Sequence, residues 1–483
     1  MAGRAVTLRL DGRRVLVTGL GVSGLPAARA LLRLGADVVA VDGADGPAQR
    51  DAAVQLAGAD VRLGDADDPR HLEGAELVVT SPGWRPTQPL LAGAARRGVP
   101  VWGEVELAWR LRGEGAAPWL AVTGTNGKTT AVRMLASVLA AAGRRTVAVG
   151  NVGAPLVDAV LDGAYDVLAV ELSSYQLHWT STVAVQAGAV LNVAPDHLDW
   201  HGGLAAYAAD KGLVYRGAER ACVYNAADPV TEQLVRDADV AEGARAVGTT
   251  LCPPAPAQLG LVEDLLVDRA FDDDGGRPDP GAAVELATTA DVVPLAPHVL
   301  EDALAAAALA RAHGVPAAAV RDGLRAFRPD AHRIAHVADL DGVAYVDDSK
   351  ATNAHAAQAS LRAYDPVVWV AGGLAKGATF DELVRAAAPR LRGVVLLGRD
   401  REALHEPLRR HAPQVPVIVV ERTDTGAMDD VVSAAAGLAR PGDTVLLAPA
   451  CASMDMFRDY GARGDAFADA VLRRAASGGP APR

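Results

Sequence analysis

The stretch LAVTGTNGKTTAVR, residues 120–133, carries a glycine-rich turn ending in Gly-Lys-Thr. A phosphate-binding loop has the form G-x-x-x-x-G-K-[ST]. Here only two residues separate Gly124 from Gly127, ahead of Lys128 and Thr129. The parts that handle phosphate are all retained. A Gly-rich turn opening a helix presents backbone N–H groups and the positive end of the helix dipole to an anion. Lys128 adds a charge for the β- and γ-phosphates, and the Thr129 hydroxyl can ligate Mg²⁺. A phosphate-bound Mg²⁺ also wants a carboxylate at a nearby strand end. Glu171 closes the apolar run VLAVE and fits that place, because a buried carboxylate without a partner is costly. His197, in NVAPDH, follows the next strand-like run. There it serves either as a ligand or as a core or capping residue.

Two further features bear on nucleotide chemistry. Of 47 basic residues only four are lysine: Lys128, Lys211, Lys350 and Lys376. Where a generic positive charge suffices, this chain uses Arg. Its lysines are candidates for tasks Arg cannot perform, such as a compact charge on phosphate or an amine that can lose its proton. Near the N-terminus, GLGVSG (Gly19, Gly21, Gly24) matches the dinucleotide fingerprint, with Asp42 at the end of the second strand-like run. It points to a nucleotide diphosphate and leaves open whether that is NAD or another nucleotide.

The elements that must position these residues follow a simple alternation. Strand-like runs alternate with Ala-rich helical stretches, which predicts parallel sheets covered by helices. Three α/β units in series are expected over 1–113, 114–329 and 330–483. The breaks fall at RGEGAAP and FRPDAHR, and ligands are expected at the carboxyl ends of strands. In the first unit a helix is expected over about 23–34, and residues 251–283, rich in Pro, Asp and Gly, read as a surface excursion with short strands. The tail ASGGPAPR reads as disordered.

Composition narrows the classes. The chain has 483 residues, half of them apolar, and a formal charge of −12. That balance argues against nucleic acid or an anionic membrane as partner. The three cysteines, Cys222, Cys252 and Cys451, are far apart and form no C-x-x-C pair. This suits a reduced, cytoplasmic protein without disulfides or zinc. Neither a signal peptide nor a run of membrane-spanning length is read.

TGTNGKTT, ELSSYQL, NVAPDHLDWHG, the pair His332–Arg333, DDSKATN, GGLAKG and ACASMDMF occur in this order. Together they resemble the Mur ligases, ATP-dependent amide-forming enzymes of cell-wall precursor synthesis. The resemblance runs from about Val15 to about Phe467. DSKATN and ACAS-x-D-x-F are similar to those of the members that add D-glutamate to UDP-N-acetylmuramoyl-L-alanine. The resemblance implies a Rossmann-like N-terminal domain for the UDP-substrate, a central P-loop ATPase domain with a mainly parallel sheet, and a Rossmann-like C-terminal domain for glutamate. A monomer acting on small molecules is expected.

The resemblance also implies roles. Gly124, Thr125, Asn126, Gly127, Lys128, Thr129 and Thr130 bind the ATP phosphates. Thr129 and Glu171 hold one Mg²⁺; His197 and a carbamylated Lys211 hold a second. Arg333 reaches the γ-phosphate and Asp348 the ribose, while His298 and Asp302 approach adenine. Lys350, Thr352, Lys376, Ser453 and Tyr460 surround the glutamate. Val22, Ser23, Asp42 and Gly83 form the uridine-diphosphate pocket, and Asn151 and His197 approach the muramoyl group. Two positions depart from the family pattern. Val299 and Asp302 stand where asparagines are usual, and an ionised Asp302 can only accept. Gly43 and Ala44 follow Asp42 where hydroxyl or basic side chains are common, which shifts uracil recognition toward the backbone. Because the expected ATP and glutamate contacts fall in different domains, turnover requires domain closure.

The competing readings make different predictions. A sister Mur ligase or an L-glutamate-specific ligase shares the chemistry and differs in substrate. An oxidoreductase built on GLGVSG binds NAD(H) and leaves Glu171, Lys211 and DDSKATN without a role. A non-catalytic nucleotide-binding protein binds ATP without acceptor-dependent turnover.

Overall fold

The computed structural model describes residues 9–272, 276, 278–279 and 281–477. It divides into two compact units, Met1–Val292 with Glu301–Phe327, and Val293–Leu300 with Arg328–Arg483.

The first unit carries two sheets. One contains β1 (Arg14–Thr18), β2 (Asp37–Asp42), β3 (Asp60–Leu63), β4 (Leu77–Thr80) and β5 (Val101–Gly103). Its order is β3-β2-β1-β4-β5, with every pairing parallel. The order reverses between β1 and β4, so a crevice opens beyond their carboxyl ends, where Gly19 and Gly83 lie. The helix after β1 spans Gly24–Arg33, within the stretch expected to be helical. A Cβ on Gly24 would sit 1.7 Å from the Gly19 carbonyl oxygen, so only glycine lets this helix start so close to the loop.

The other sheet contains β6 (Trp119–Thr123), β7 (Thr146–Gly150), β8 (Val167–Glu171), β9 (Ala187–Val190), β10 (Ala221–Asn225), β11 (Arg245–Thr249), β12 (Gln258–Val262), β13 (Leu265–Asp268) and β14 (Val284–Thr288). Its order is β14-β13-β12-β11-β10-β9-β6-β8-β7. The strands from β7 to β12 pair in parallel, whereas β12–β13 and β13–β14 are antiparallel. The segment read as a surface excursion therefore supplies two strands of this sheet. Its residues 273–275, 277 and 280 lie outside the described ones. β6 and β8 are buried along their whole length, as continuous apolar runs covered on both faces should be.

Two glutamates after β5 fasten the two sheets of this unit together. In the helix Glu104–Arg110, the Glu104 carboxylate accepts the Val157 N–H at 2.6 Å, at the start of the helix Leu156–Asp162. Glu106 accepts the N–H groups of Ser181 (2.8 Å) and Thr182 (3.0 Å) and the Thr182 hydroxyl (2.6 Å). Farther along, Arg311 and Asp268 form a fully buried ion pair at 2.8 Å.

The second unit holds β15 (Ala335–Leu340), β16 (Val343–Asp347), β17 (Val367–Gly372), β18 (Leu391–Leu397), β19 (Val417–Val419) and β20 (Thr444–Leu447). Their order is β15-β16-β20-β17-β18-β19, parallel except for β15–β16. β15 is a strand the sequence reading did not single out. None of its residues is fully buried, so it lacks the apolar run that marks the others. The helix Tyr460–Ser477 closes the described chain and takes in the first residues of the tail read as disordered. The rest of that tail, 478–483, lies outside the described residues. No helix among the described residues is long and apolar enough to cross a membrane.

Candidate active site

The short loop sits where strand order changes in the larger sheet of the first unit. β6 lies between β9 and β8, so the loop, the Glu171 end of β8 and the segment after β9 converge. Gly127 has φ 85°, a left-handed turn that glycine adopts without strain, and the helix Lys128–Ala141 begins beyond it. Lys128 Nζ donates to the carbonyls of Gly124 (2.9 Å) and Thr125 (3.0 Å). Asn192, after β9, braces the loop from the side. Its Oδ1 accepts the Asn126 N–H at 2.9 Å and its Nδ2 donates to the Asn126 carbonyl at 3.2 Å. The Thr125 hydroxyl accepts the Ala194 N–H at 3.0 Å and meets the Tyr207 hydroxyl at 3.0 Å. Thr125 is therefore committed to shaping the loop. Thr129 and Thr130 follow in the first turn of the helix and are half-buried.

Lys211 comes from 87 residues away along the chain and donates to the same Gly124 carbonyl at 2.8 Å. It is almost fully buried, with its ammonium 4.4 Å from the centre of the Tyr207 ring. Burial, and secondarily the charge of Lys128, push its pKa well below the ordinary lysine range. The site thus favours a neutral amine, the form that can add carbon dioxide.

Glu171 is also almost fully buried. Asn151 Nδ2 donates to its Oε1 at 2.7 Å, and the Asn151 N–H donates to its carbonyl at 2.9 Å. Its Oε2 is buried and makes no hydrogen bond. A buried carboxylate oxygen left in that state is expensive. An open carboxylate oxygen of this kind fits a hard, oxygen-seeking divalent cation. His197 has φ 53° and a half-exposed ring 3.5 Å from Asp196. Burial lowers its pKa, and Lys128 and Lys211 lower it further.

Asp302 packs against the same helix start. A Cβ on Gly127 would fall 2.2 Å from its Oδ1. His298, expected beside it, groups with the second unit. Burial pushes the His298 pKa down to about 4.

The residues expected to hold the uridine diphosphate cluster around β1 and β4. Asp42 accepts the N–H groups of Leu20 (2.7 Å) and Ala44 (2.9 Å), so its carboxylate braces the GLGVSG loop. Val22 is exposed and Ser23 half-buried just before the helix. The Gly83 carbonyl accepts Trp200 Nε1 at 3.2 Å, and Arg85 pairs with Asp199 at 2.5 Å. The short helix Leu198–His201, directly after His197, is thereby tied to the Gly83 loop.

The second unit gathers its own set at the carboxyl ends of β16, β17 and β20. Asp348 is buried, accepts the Ile334 N–H at 3.3 Å and is bonded by the Ser360 hydroxyl. Burial pushes its pKa up to about 6. Arg333 pairs with Asp330 at 3.6 Å. Lys350 Nζ lies 4.0 Å from the centre of the Tyr460 ring, and the Thr352 N–H donates to the Lys350 carbonyl at 2.8 Å. Leu374 and Ala452 exchange backbone hydrogen bonds, which joins the loop bearing exposed Lys376 to the one bearing buried Ser453.

Several residues of this framework were not anticipated. Arg463 is fully buried and donates to the carbonyls of Ser349 (2.8 Å) and Cys451 (3.0 Å) and to the Ser349 hydroxyl (2.9 Å). It joins the ends of β16 and β20 beneath Lys350 and Ser453. Asp210 bridges His178 (3.0 Å) and His201 (2.8 Å) next to Lys211. Arg463 carries no sequence signal, being one Arg among many. His201 lies within NVAPDHLDWHG and Asp210 directly precedes Lys211, so both could have been found from that proximity.

Comparison with known proteins agrees with this arrangement. Residues 13–103 match the Mur ligase MurD-like N-terminal domain, 122–250 the Mur ligase middle domain, and 332–451 the Mur ligase glutamate ligase domain. A Streptomyces avermitilis protein named UDP-N-acetylmuramoylalanine--D-glutamate ligase is 66% identical over 95% of this chain and 98% of its own. One of the same name from Streptomyces coelicolor is 65% identical, over 95% and 98%. The crystal structure of UDP-N-acetylmuramate-alanine ligase MurC from Thermotoga maritima shares the fold, with a TM-score of 0.54, 19% identity, and coverage of 96% of this chain and 99% of its own. The matched domains include strands of all three sheets, and the short phosphate loop lies inside the middle one: the chain belongs to the Mur ligase family.

Proposed function

We propose that the chain joins D-glutamate to UDP-N-acetylmuramoyl-L-alanine at the expense of ATP, giving ADP and phosphate. The observation that carries this reading is the pairing of the short phosphate loop with Glu171, whose buried Oε2 has no protein partner. The names of close relatives support the choice of substrates.

The free carboxylate of the UDP-muramoyl-L-alanine attacks the γ-phosphorus, displacing ADP and forming an acyl phosphate. The glutamate amine then attacks the acyl carbon, and the tetrahedral intermediate collapses to the amide and phosphate. An anion attacking an anion needs charge compensation. Lys128 and the loop N–H groups of Gly124–Thr130 supply part of it, and Arg333 adds a guanidinium at the γ-phosphate. Thr129 and Glu171 are the residues to hold one Mg²⁺, and His197 with a carbamylated Lys211 a second; such ions polarise the phosphoryl oxygens. Asn151 holds Glu171 by two hydrogen bonds and contacts the muramoyl group. His298 and Asp302 serve adenine and Asp348 the ribose. Val22, Ser23, Asp42 and Gly83 receive the uridine diphosphate, and Lys350, Thr352, Lys376, Ser453 and Tyr460 the glutamate. The three functions map onto domains 1–113, 114–329 and 330–483. The protein acts as a monomer in the cytoplasm on small molecules.

The test is phosphate release with ATP, Mg²⁺, UDP-N-acetylmuramoyl-L-alanine and each glutamate enantiomer. Release that requires the acceptor and D-glutamate is expected. Release independent of either, or a preference for L-glutamate, refutes the assignment.

A further inference from the structure

Arg333 lies between two residues with left-handed backbones, His332 (φ 63°) and Ile334 (φ 48°). A β-branched residue in that region is a genuine outlier. Strain of this kind persists only where neighbours over-determine it. Here three groups do so. His332 Nδ1 donates to the buried Asp347 carboxylate at 2.6 Å; a carboxylate can only accept, so the proton resides on Nδ1. The His332 carbonyl accepts the Lys350 N–H at 3.2 Å. On the far side of Arg333, the Ile334 N–H donates to Asp348, and the Ile334 side chain is buried.

The helix Tyr460–Ser477 supplies a further constraint. A Cβ on Gly464 would fall 2.1 Å from His332 Nδ1 and 2.7 Å from Asp347 Oδ2. Only glycine lets the helix lie directly on this pair. The pair is thus held from below by β16 and from above by the helix, and the backbone it fixes carries Arg333.

We propose that His332 and Asp347, seated against Gly464, are positioning residues that fix the direction of the Arg333 guanidinium. The inference rests on the γ-phosphate role given to Arg333 above. A displacement of about 1 Å at a charge-stabilising group costs on the order of 100-fold in rate. Gly464→Ala is therefore expected to lower kcat on that order while leaving the KM for D-glutamate within about twofold. In an Arg333→Ala background the same change is expected to cost less than about twofold, because residues acting as a unit are non-additive. His332→Asn tolerates the left-handed backbone but shortens the side chain. It should repeat the pattern and stands in if Gly464→Ala does not fold. Full activity in both variants overturns the proposal, as does a loss that multiplies with that of Arg333→Ala. If Arg333→Ala alone keeps wild-type activity, the role of Arg333 fails and the proposal with it. That outcome is distinct from an Arg333→Ala of reduced but measurable activity with multiplying losses, which refutes only the positioning.

Discussion

Replacing Lys211 with Met separates chemistry from folding. The side chain is almost fully buried, and its amine makes one hydrogen bond, to the Gly124 carbonyl. That carbonyl also receives Lys128 at 2.9 Å, so it keeps a partner when Lys211 is gone. The loss is one hydrogen bond, worth about 1 kcal/mol net, against relief from burying an amine near a second cation. At pH 7 the folded state resists the proton that an unfolded lysine carries, and this relief outweighs the lost bond, so Lys211→Met should be at least as stable as wild type at pH 7. The pH dependence has a definite sign. A lysine whose folded pKa lies below its unfolded value binds fewer protons when folded, so stability falls as pH drops from about 10.5 toward the folded value. Lys211→Met should flatten that fall in thermal unfolding scans between pH 7 and pH 10.5. Acceptor- and glutamate-dependent phosphate release should be abolished if the amine carries a carbamate for the second metal. A variant as active as wild type refutes the catalytic role. A loss of stability above about 3 kcal/mol at pH 7, the cost of breaking a buried charge cluster, refutes the neutral-amine argument.

Other perturbations read different parts of the fold. Burial raises the Glu104 pKa to about 7, so the folded state binds more protons than the unfolded one and stability is lost as pH rises from about 4.5 to 7; Glu104→Gln should remove that loss and stabilise by up to about 3 kcal/mol above pH 7, read by denaturation at pH 5 and pH 8. Arg311→Met leaves Asp268 buried without its partner and should cost about 3–5 kcal/mol, measured by chemical unfolding. Gly127→Ala combines a disfavoured backbone with a Cβ 2.2 Å from Asp302 and should abolish ATP binding in calorimetry. Glu171→Gln keeps the Asn151 contact but lowers the charge offered by Oε2, and should weaken Mn²⁺ binding on the order of 10–100-fold in an electron paramagnetic resonance titration.

Local chemistry was legible in the sequence. The phosphate loop, Glu171 and GLGVSG depend on a strand, a tight turn and a helix start in immediate succession. Spacing and residue type specify those directly, and the family resemblance extends them across the chain. Partnerships between distant segments were not legible. Lys211 reaching Gly124, Arg463 joining two strand ends, Glu104 and Glu106 fastening two sheets, and Gly464 admitting a helix onto His332 all join segments remote in sequence. No periodicity carries such pairings, because a single Arg, Glu or Gly looks the same on a solvated helix as in a core. The antiparallel edge strands β14 and β15 escaped for a related reason: edge strands need no continuous apolar run. The sequence alone thus determined which groups could handle phosphate and carboxylate. Only tertiary packing decided which were buried, which carbonyl each donor meets, and which carboxylate oxygen is left open, since desolvation and close approach exist only once distant segments meet.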